Sequence, residues 1–185
     1  MKSFKTPLAG VRVVEPAVFN DDRGFFMETY HREKYEAVGI DVSFVQDNHS
    51  HSQQNVLRGL HYQLGHAQDK LVCALSGAIF DVAVDIRRGS PTFGQWYGTQ
   101  LSAANHRQLF IPKGFAHGFC VLSETADILY KCSDFYSPED EQGLLWSDPE
   151  LKIQWPVKAP ILSAKDAAYP PLARLPRERL PRYTG

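Results

Sequence analysis

Residue types suited to acid–base chemistry are concentrated in short stretches that otherwise look like buried strands. The segment 56–63 (VLRGLHYQ) places Arg58, His61 and Gln63 among apolar residues. A charged side chain on a core face is costly unless it is paired or has a function. Simple strand alternation sends Arg58 and His61 to opposite faces, and Gly59 could host a bulge that reorients one of them. These polar residues are therefore the first candidates for a functional site.

A second polar stretch, 111–119 (IPKGFAHGF), fits the pattern Pro-x-Gly-x-x-His found in the second motif of cupins. There the proline and glycine form a turn, and His117 begins a strand whose side chain points into a barrel. A metal-binding cupin also uses a His-x-His pair followed by a glutamate. Here His61 is followed two residues later by Gln63, and no glutamate comes at the expected distance. Because such metals need several imidazole and carboxylate ligands, we expect no bound metal.

Composition narrows the remaining function classes. Twenty Lys and Arg against 21 Asp and Glu give a net charge of −1, which argues against a nucleic-acid binder. No apolar run is long enough for a membrane span or a signal peptide, so we expect a cytoplasmic protein without membrane association. No dinucleotide fingerprint or P-loop motif occurs. Cys73, Cys120 and Cys132 lie in apolar surroundings and are expected to be reduced core residues.

Short strands dominate the chain after one predicted helix at 30–38. In the clearest strand, 79–86, apolar residues alternate with Asp81, Ala83 and Asp85, which is the strand period of two. This spacing of strands and turns favours an antiparallel sandwich or barrel, with jelly rolls among the options. The other predicted strands are 11–15, 44–47, 56–62, 70–75, 96–101, 108–111, 117–122 and 127–132.

The C-terminal region is expected to lack regular structure. Its prolines rule out a long helix, and its four arginines are expected on a solvated surface. We predict a single domain, 1–185, with an irregular tail from about residue 167. The residues concerned are Pro170, Pro171, Pro176, Pro181, Arg174, Arg177, Arg179 and Arg182.

Twelve segments of the sequence match, in the same order, the segments of a known enzyme family. They are 19–28 (FNDDRGFFME), 46–50 (QDNHS), 56–63, 70–72, 80–87 (FDVAVDIR), 90–96 (SPTFGQW), 109–119, 130–131, 136–138, 146–149, 153–156 and 162–166 (LSAKD). Together they span nearly the whole chain, and the sequence resembles the dTDP-4-dehydrorhamnose 3,5-epimerase family. Cys73 stands where an arginine is common and Phe135 where a tyrosine is common, and either could alter substrate preference. The resemblance implies an all-β, cupin-type jelly-roll barrel with a few short helices, a homodimer, and no cofactor.

The resemblance also implies a reaction. Such an enzyme inverts C3 and C5 of a dTDP-linked 4-keto-6-deoxy sugar to give dTDP-4-dehydro-L-rhamnose. Each inversion needs a base, stabilisation of an enolate, and an acid on the other face. Family position makes His61 the base, Asp166 its partner, Tyr130 the acid and Lys70 the enolate-stabilising group. Because His61 and Asp166 are far apart in sequence, the C-terminal segment would have to fold back over the barrel mouth.

The nucleotide part of the substrate requires cations for the diphosphate and a flat surface for thymine. Arg23 and Arg58 are the diphosphate candidates, since a guanidinium offers paired donors. The other substrate-binding candidates implied by the resemblance are Phe26, Glu28, Gln46, Asn48, His117, Tyr136, Glu141 and Lys165.

Three alternatives remain open at the level of sequence. A single-centre epimerase or a sugar 3,4-ketoisomerase would share the fold, the base and the nucleotide site. A metal-dependent cupin oxygenase would instead require a bound metal. A non-catalytic sugar-binding cupin would bind the nucleotide without exchanging substrate protons.

Overall fold

The computed structural model describes residues 1–184, and most of its regular structure is antiparallel strand. The strands are β1 (Lys2–Lys5), β2 (Arg12–Glu15), β3 (Val18–Asp21), β4 (Gly24–Met27), β5 (Gln46–Gln53), β6 (Leu57–Gln63), β7 (Lys70–Ser76), β8 (Ala78–Asp85), β9 (Trp96–Ser102), β10 (Gln108–Ile111), β11 (Phe115–Val121), β12 (Thr125–Cys132) and β13 (Glu141–Gly143). The helices are α1 (Arg32–Glu36) and α2 (Ala164–Ala168), with 3₁₀ turns at Leu172–Arg174 and Arg177–Arg179. The predicted all-β fold with a few short helices is confirmed.

The strands form two sheets that enclose the core. The larger sheet has the order β1-β2-β10-β7-β12-β5, and the smaller has the order β13-β6-β11-β8-β9. From β5 to β13 the chain crosses between the sheets at every step except β8 to β9, so residues distant in sequence meet across the barrel. Val72 and Ile128 of the larger sheet pack with Ile79, Leu101 and Phe119 of the smaller one. β3 and β4 form a separate two-stranded hairpin outside both sheets.

The C-terminal region covers the outer face of the smaller sheet. Leu172, Leu175 and Leu180 pack in one buried cluster with Val82 and Val84 of β8. This explains why β8 is buried on both faces, although its alternating sequence predicts one polar face. The four tail arginines are exposed, as expected, while the leucines between them supply the contacts that hold the tail.

Local differences from the predicted elements lie mostly at the edges of the fold. The helix is shorter than predicted, and its Tyr35 is buried and donates a hydrogen bond to Gln108 Oε1 (2.6 Å). The sequence pattern did not predict β1, the β3–β4 hairpin or the three-residue β13. The three cysteines are free thiols, with Cys120 and Cys132 buried and Cys73 partly exposed. Neither α-helix of residues 1–184 has the length or apolar character needed to cross a membrane.

Candidate active site

A cleft between the two sheets gathers most of the predicted site residues. It has two adjoining lobes of about 250 Å³ and about 310 Å³, which is enough for a small organic ligand. The two lobes share five lining residues, which come from both sheets and from the loop around β13. These shared residues are His61, Lys70, Tyr130, Tyr136 and Glu141.

A bulge in β6 brings Arg58 and His61 to the same cavity. His61 pairs with His117 of β11, but Arg58 pairs with Phe119, so β6 holds one extra residue at this point. Gly59 adopts φ +113°, and a Cβ there would lie 2.6 Å from the backbone of Gly118. Only glycine fits this conformation and close approach. The irregularity suggested by Gly59 is therefore present, and both side chains line the second lobe.

His61 and Asp166 form a close pair inside this cavity. The distance from His61 Nε2 to Asp166 Oδ1 is 2.5 Å. Burial alone would raise the pKa of Asp166, but the hydrogen bond and charge of His61 hold that pKa below its ordinary value. Ionised Asp166 therefore fixes the orientation of the imidazole through this hydrogen bond.

The C-terminal segment brings Asp166 to the cavity by pairing with the start of β6. Ile161 bridges Val56 in parallel, and the N–H of Leu57 donates to the Ile161 carbonyl (3.0 Å). Ser163 then caps α2 by accepting a hydrogen bond from the N–H of Asp166 (3.0 Å). The segment thus folds back over the barrel as the sequence separation required.

Lys70 and Tyr130 approach the cavity from the larger sheet, opposite His61. They lie on neighbouring strands, where Tyr130 pairs with Val72 and Lys70 with Cys132. Burial lowers the pKa of Lys70, although the negative charges of Asp81 and Glu141 act to raise it. Burial raises the pKa of Tyr130. Within residues 1–184, the Lys70 ammonium makes no hydrogen bond or ion pair with another side chain. It is therefore available to a negative charge that develops in the cavity.

Glu141 forms a polar cluster at the mouth of the cavity. It accepts a hydrogen bond from the Tyr136 hydroxyl (2.6 Å), forms an ion pair with Lys165, and lies 3.7 Å from His61 Nδ1. Burial would raise the pKa of Glu141, but Lys165 and Tyr136 keep it below its usual value. An anionic Glu141 beside the imidazole adds to the negative environment created by Asp166.

The polar side chains of β5 line the first lobe. Gln46 donates from Nε2 to Asn48 Oδ1 (3.0 Å), and Gln46 Oε1 accepts from the N–H of Tyr136 (2.9 Å). On the side of the second lobe, Arg58 is held by Ser52 Oγ through its Nε (3.0 Å). The fixed amide and guanidinium donors suit a ligand with ring carbonyls and phosphate oxygens.

Three predicted substrate-binding residues lie outside the cavity of the single chain. Arg23, Phe26 and Glu28 lie in or next to the β3–β4 hairpin, and none lines either lobe. Arg23 pairs with Asp21, Glu28 pairs with Lys34, and Phe26 is 70% exposed. The hairpin projects from the barrel because β4 pairs only with β3. One chain alone therefore does not bring these residues to the site.

His117 lines the second lobe but is paired with a residue that the sequence did not single out as functional. Its Nε2 lies 2.6 Å from Asp81 Oδ1, and Asp81 Oδ2 is buried with no partner among the described residues. The alternation of β8 had placed Asp81 on a polar face. The repeated carboxylates of β8, on the same face as Ile79 and Ala83, were the signal that could have identified it. Across the described residues 1–184, no three His, Cys, Asp or Glu side chains converge in a geometry that could hold a metal.

Known proteins share both the sequence and the fold. A family model described as dTDP-4-dehydrorhamnose 3,5-epimerase matches residues 5–174. The dTDP-4-dehydrorhamnose 3,5-epimerase of Pseudomonas aeruginosa is 61% identical over 168 residues, or 90% of this chain and 93% of that protein.

Solved structures give the same result. The dTDP-6-deoxy-D-glucose-3,5-epimerase of Legionella pneumophila, in complex with dTDP-4-keto-L-rhamnose, is 52% identical with a TM-score of 0.97, covering 100% of this chain and 99% of that one. A 3'-monoepimerase from Streptomyces bikiniensis, in complex with dTDP-quinovose, is 35% identical with a TM-score of 0.89, covering 97% and 93%. The expected cupin-type jelly roll is thereby confirmed. The chain belongs to the dTDP-4-dehydrorhamnose 3,5-epimerase family.

Proposed function

We propose that the protein is an isomerase that inverts both C3 and C5 of dTDP-4-dehydro-6-deoxy-D-glucose, giving dTDP-4-dehydro-L-rhamnose. The observation that supports this most strongly is the His61–Asp166 pair on one wall of a cavity whose opposite wall carries Lys70 and Tyr130. A sugar ring between the two sheets would have a base on one face and an acid on the other. The identity of 61% to the Pseudomonas aeruginosa 3,5-epimerase, against 35% to the 3'-monoepimerase, supports inversion at both centres.

The chemistry follows from the residues on the two walls. His61 removes the proton from the carbon next to the ketone, and the electron pair moves to the carbonyl oxygen as an enolate. The Lys70 ammonium stabilises that oxyanion in a water-poor site. Tyr130, whose raised pKa keeps its hydroxyl protonated, returns a proton to the opposite face. One proton leaves and one returns at each carbon, so the reaction needs no redox cofactor.

The nucleotide would occupy the polar side of the same cleft. We assign the diphosphate to Arg58 with Lys165, and the thymine or ribose edges to Gln46 and Asn48. Tyr136 at the mouth offers an aromatic face for the base. His117 is oriented by Asp81, which leaves its other ring nitrogen for a sugar or phosphate oxygen.

Turnover of the 4-keto sugar in heavy water tests the proposal directly. We expect deuterium at both C3 and C5 of the product, because each inversion passes through an enolate that is reprotonated from exchangeable groups. Proton NMR measures this incorporation as the loss of the two proton signals. Deuterium at only one carbon would indicate a single-centre epimerase, and a 3-keto product would indicate a ketoisomerase. Binding of dTDP without exchange would indicate a non-catalytic protein. Activity that is lost to a chelator and restored by a metal would favour the oxygenase reading.

We propose further that a second copy of the chain supplies the hairpin residues in a homodimer. The exposed aromatic residues of the hairpin, Phe19, Phe25 and Phe26, form an apolar surface that a partner would cover. Exchange of this hairpin would carry Arg23, Phe26 and Glu28 to the partner's cavity, where they would complete the nucleotide site.

Mixing two inactive variants tests that exchange. Arg23→Glu and His61→Asn, co-expressed with different tags, should together recover about a quarter of wild-type activity, because half of randomly paired dimers are mixed and each has one intact site. The total activity of the co-expressed mixture is the measurement, and the purified mixed dimer, with one of its two sites intact, should have about half of wild-type activity. As the matched control, His61→Asn with Lys70→Met should recover nothing, since both defects lie within one barrel. Hairpin exchange would be contradicted if both pairs of variants recovered the same activity, or if Arg23→Glu with His61→Asn recovered none.

A further inference from the structure

Tyr169 lies directly behind the candidate base, although it lines neither lobe of the cavity. It immediately follows α2, the helix that carries Asp166, and its backbone has already left the helical conformation. Its ring meets the His61 ring edge-on, with centroids 5.8 Å apart and an interplanar angle of 68°. The chain is fixed just beyond it, where the Pro170 carbonyl accepts a hydrogen bond from the N–H of Leu145 (2.9 Å).

A glycine in the edge strand makes room for this ring. Gly143 of β13 pairs with His61 of β6. A Cβ at Gly143 would lie 2.5 Å from Cδ2 and Cζ of Tyr169, so any larger residue would displace the ring. The ring is thus confined between the backbone of β13 and the imidazole.

The hydroxyl of Tyr169 does not explain its position. Its oxygen is buried and makes no well-formed hydrogen bond among residues 1–184, and the nearby Lys165 offsets only part of the effect of burial on its pKa. Burial and the nearby Glu141 raise the pKa of Tyr169 to about 12, so the group stays neutral. A buried hydroxyl without a partner costs stability. The contribution of this residue must therefore come from the aromatic ring.

We propose that Tyr169 is a positioning residue whose ring holds the His61 imidazole in the orientation that Asp166 requires. This rests on the proposed role of His61 as the base. Asp166 fixes one ring nitrogen, and Tyr169 blocks rotation of the ring away from it. One segment of the chain, from Ser163 to Pro170, thus supplies both the electrostatic and the steric constraint on the base.

Two substitutions at Tyr169 separate the ring from the hydroxyl. Tyr169→Phe keeps the ring and is expected to keep wild-type kcat with equal or higher thermal stability. Tyr169→Leu removes the flat ring and is expected to lower kcat about tenfold with KM within twofold, because small misplacements of a catalytic group cost rate. In the free enzyme, the downfield proton resonance of the His61–Asp166 hydrogen bond should weaken in Tyr169→Leu and persist in Tyr169→Phe.

Gly143→Ala provides a second route if Tyr169→Leu fails to fold, and should lower kcat while leaving residue 169 unchanged. The proposal is overturned if Tyr169→Leu or Gly143→Ala keeps both wild-type kcat and the downfield resonance. It is also overturned if Tyr169→Phe loses as much activity as Tyr169→Leu. The resonance is measured without substrate. If Tyr169→Leu weakens the downfield resonance but leaves substrate proton exchange unchanged, Tyr169 does position the imidazole, and His61 is not the base.

Discussion

His61→Asn is expected to lower the rate of epimerisation about a thousandfold while leaving nucleotide binding nearly unchanged. The rate falls because removal of a general base typically costs between about a hundredfold and ten-thousandfold. Asparagine is too short to reach Asp166 from the Nε2 position, so some loss of thermal stability is expected from the buried carboxylate that loses this partner. The measurements are substrate deuterium exchange by NMR and the Kd of dTDP by calorimetry.

A matched control distinguishes loss of the base from a general effect of replacing histidine. His66→Asn changes an exposed side chain whose ion pair within residues 1–184 is with Asp134, 3.5 Å away, and the variant should react at the wild-type rate. A folded His61→Asn protein that retains more than about a tenth of wild-type exchange would remove His61 as the base, since a general base typically contributes at least about a hundredfold. Loss of dTDP binding would instead place His61 in the nucleotide site.

Lys70→Met is expected to change activity and stability in opposite directions. The reaction should slow by about a hundredfold to a thousandfold, because an oxyanion-stabilising group is lost. The thermal midpoint should stay the same or rise, because methionine fills a similar volume without leaving a charge in a buried cavity. Single-turnover kinetics and thermal unfolding of the same samples measure the two effects.

The gain in stability should depend on pH in a defined direction. Since burial lowers the folded-state pKa of Lys70, its charge destabilises the fold while the pH is below that pKa. The stability difference between Lys70→Met and wild type should therefore be full below the folded-state pKa of Lys70 and shrink as the pH rises from that pKa to the ordinary lysine pKa. A loss of stability at neutral pH would show that Lys70 is a paired structural cation.

Lys131→Met is the matched control on the next strand. Lys131 faces away from the cavity and pairs with Asp47 at 3.0 Å. Its replacement should leave the reaction rate unchanged and should not raise stability. Equal slowing in both methionine variants would indicate a general effect of charge on the larger sheet.

The barrel and its walls were predictable because their signals are local. Arg58, His61 and Gln63 stood out as polar groups in an apolar strand, and that strand does line the cavity. The glycine between Arg58 and His61 correctly indicated an irregular pairing. The pairing of His61 with Asp166 followed from the family resemblance, because no local pattern links residues 105 positions apart.

The missed features depend on partners far along the chain. β13 is three residues long and polar, so it forms only because the edge of β6 is available for pairing. Asp81 looked exposed because the alternating strand gave no sign that its polar face lies inside the barrel, beside His117 of β11. The exposed hairpin was also missed, since Phe25 and Phe26 interrupt strict alternation.

The C-terminal segment crosses the start of β6, so the His61–Asp166 pair can form only after the last part of the chain has been synthesised. During synthesis the imidazole leaves the ribosome well before its carboxylate partner, since translation proceeds from the N-terminus. A nascent barrel can fold its two sheets while the last residues are still enclosed, but its histidine then has no acidic neighbour at Nε2. Premature termination between residues 144 and 165 would therefore release a chain that has all thirteen strands but lacks the carboxylate partner of His61.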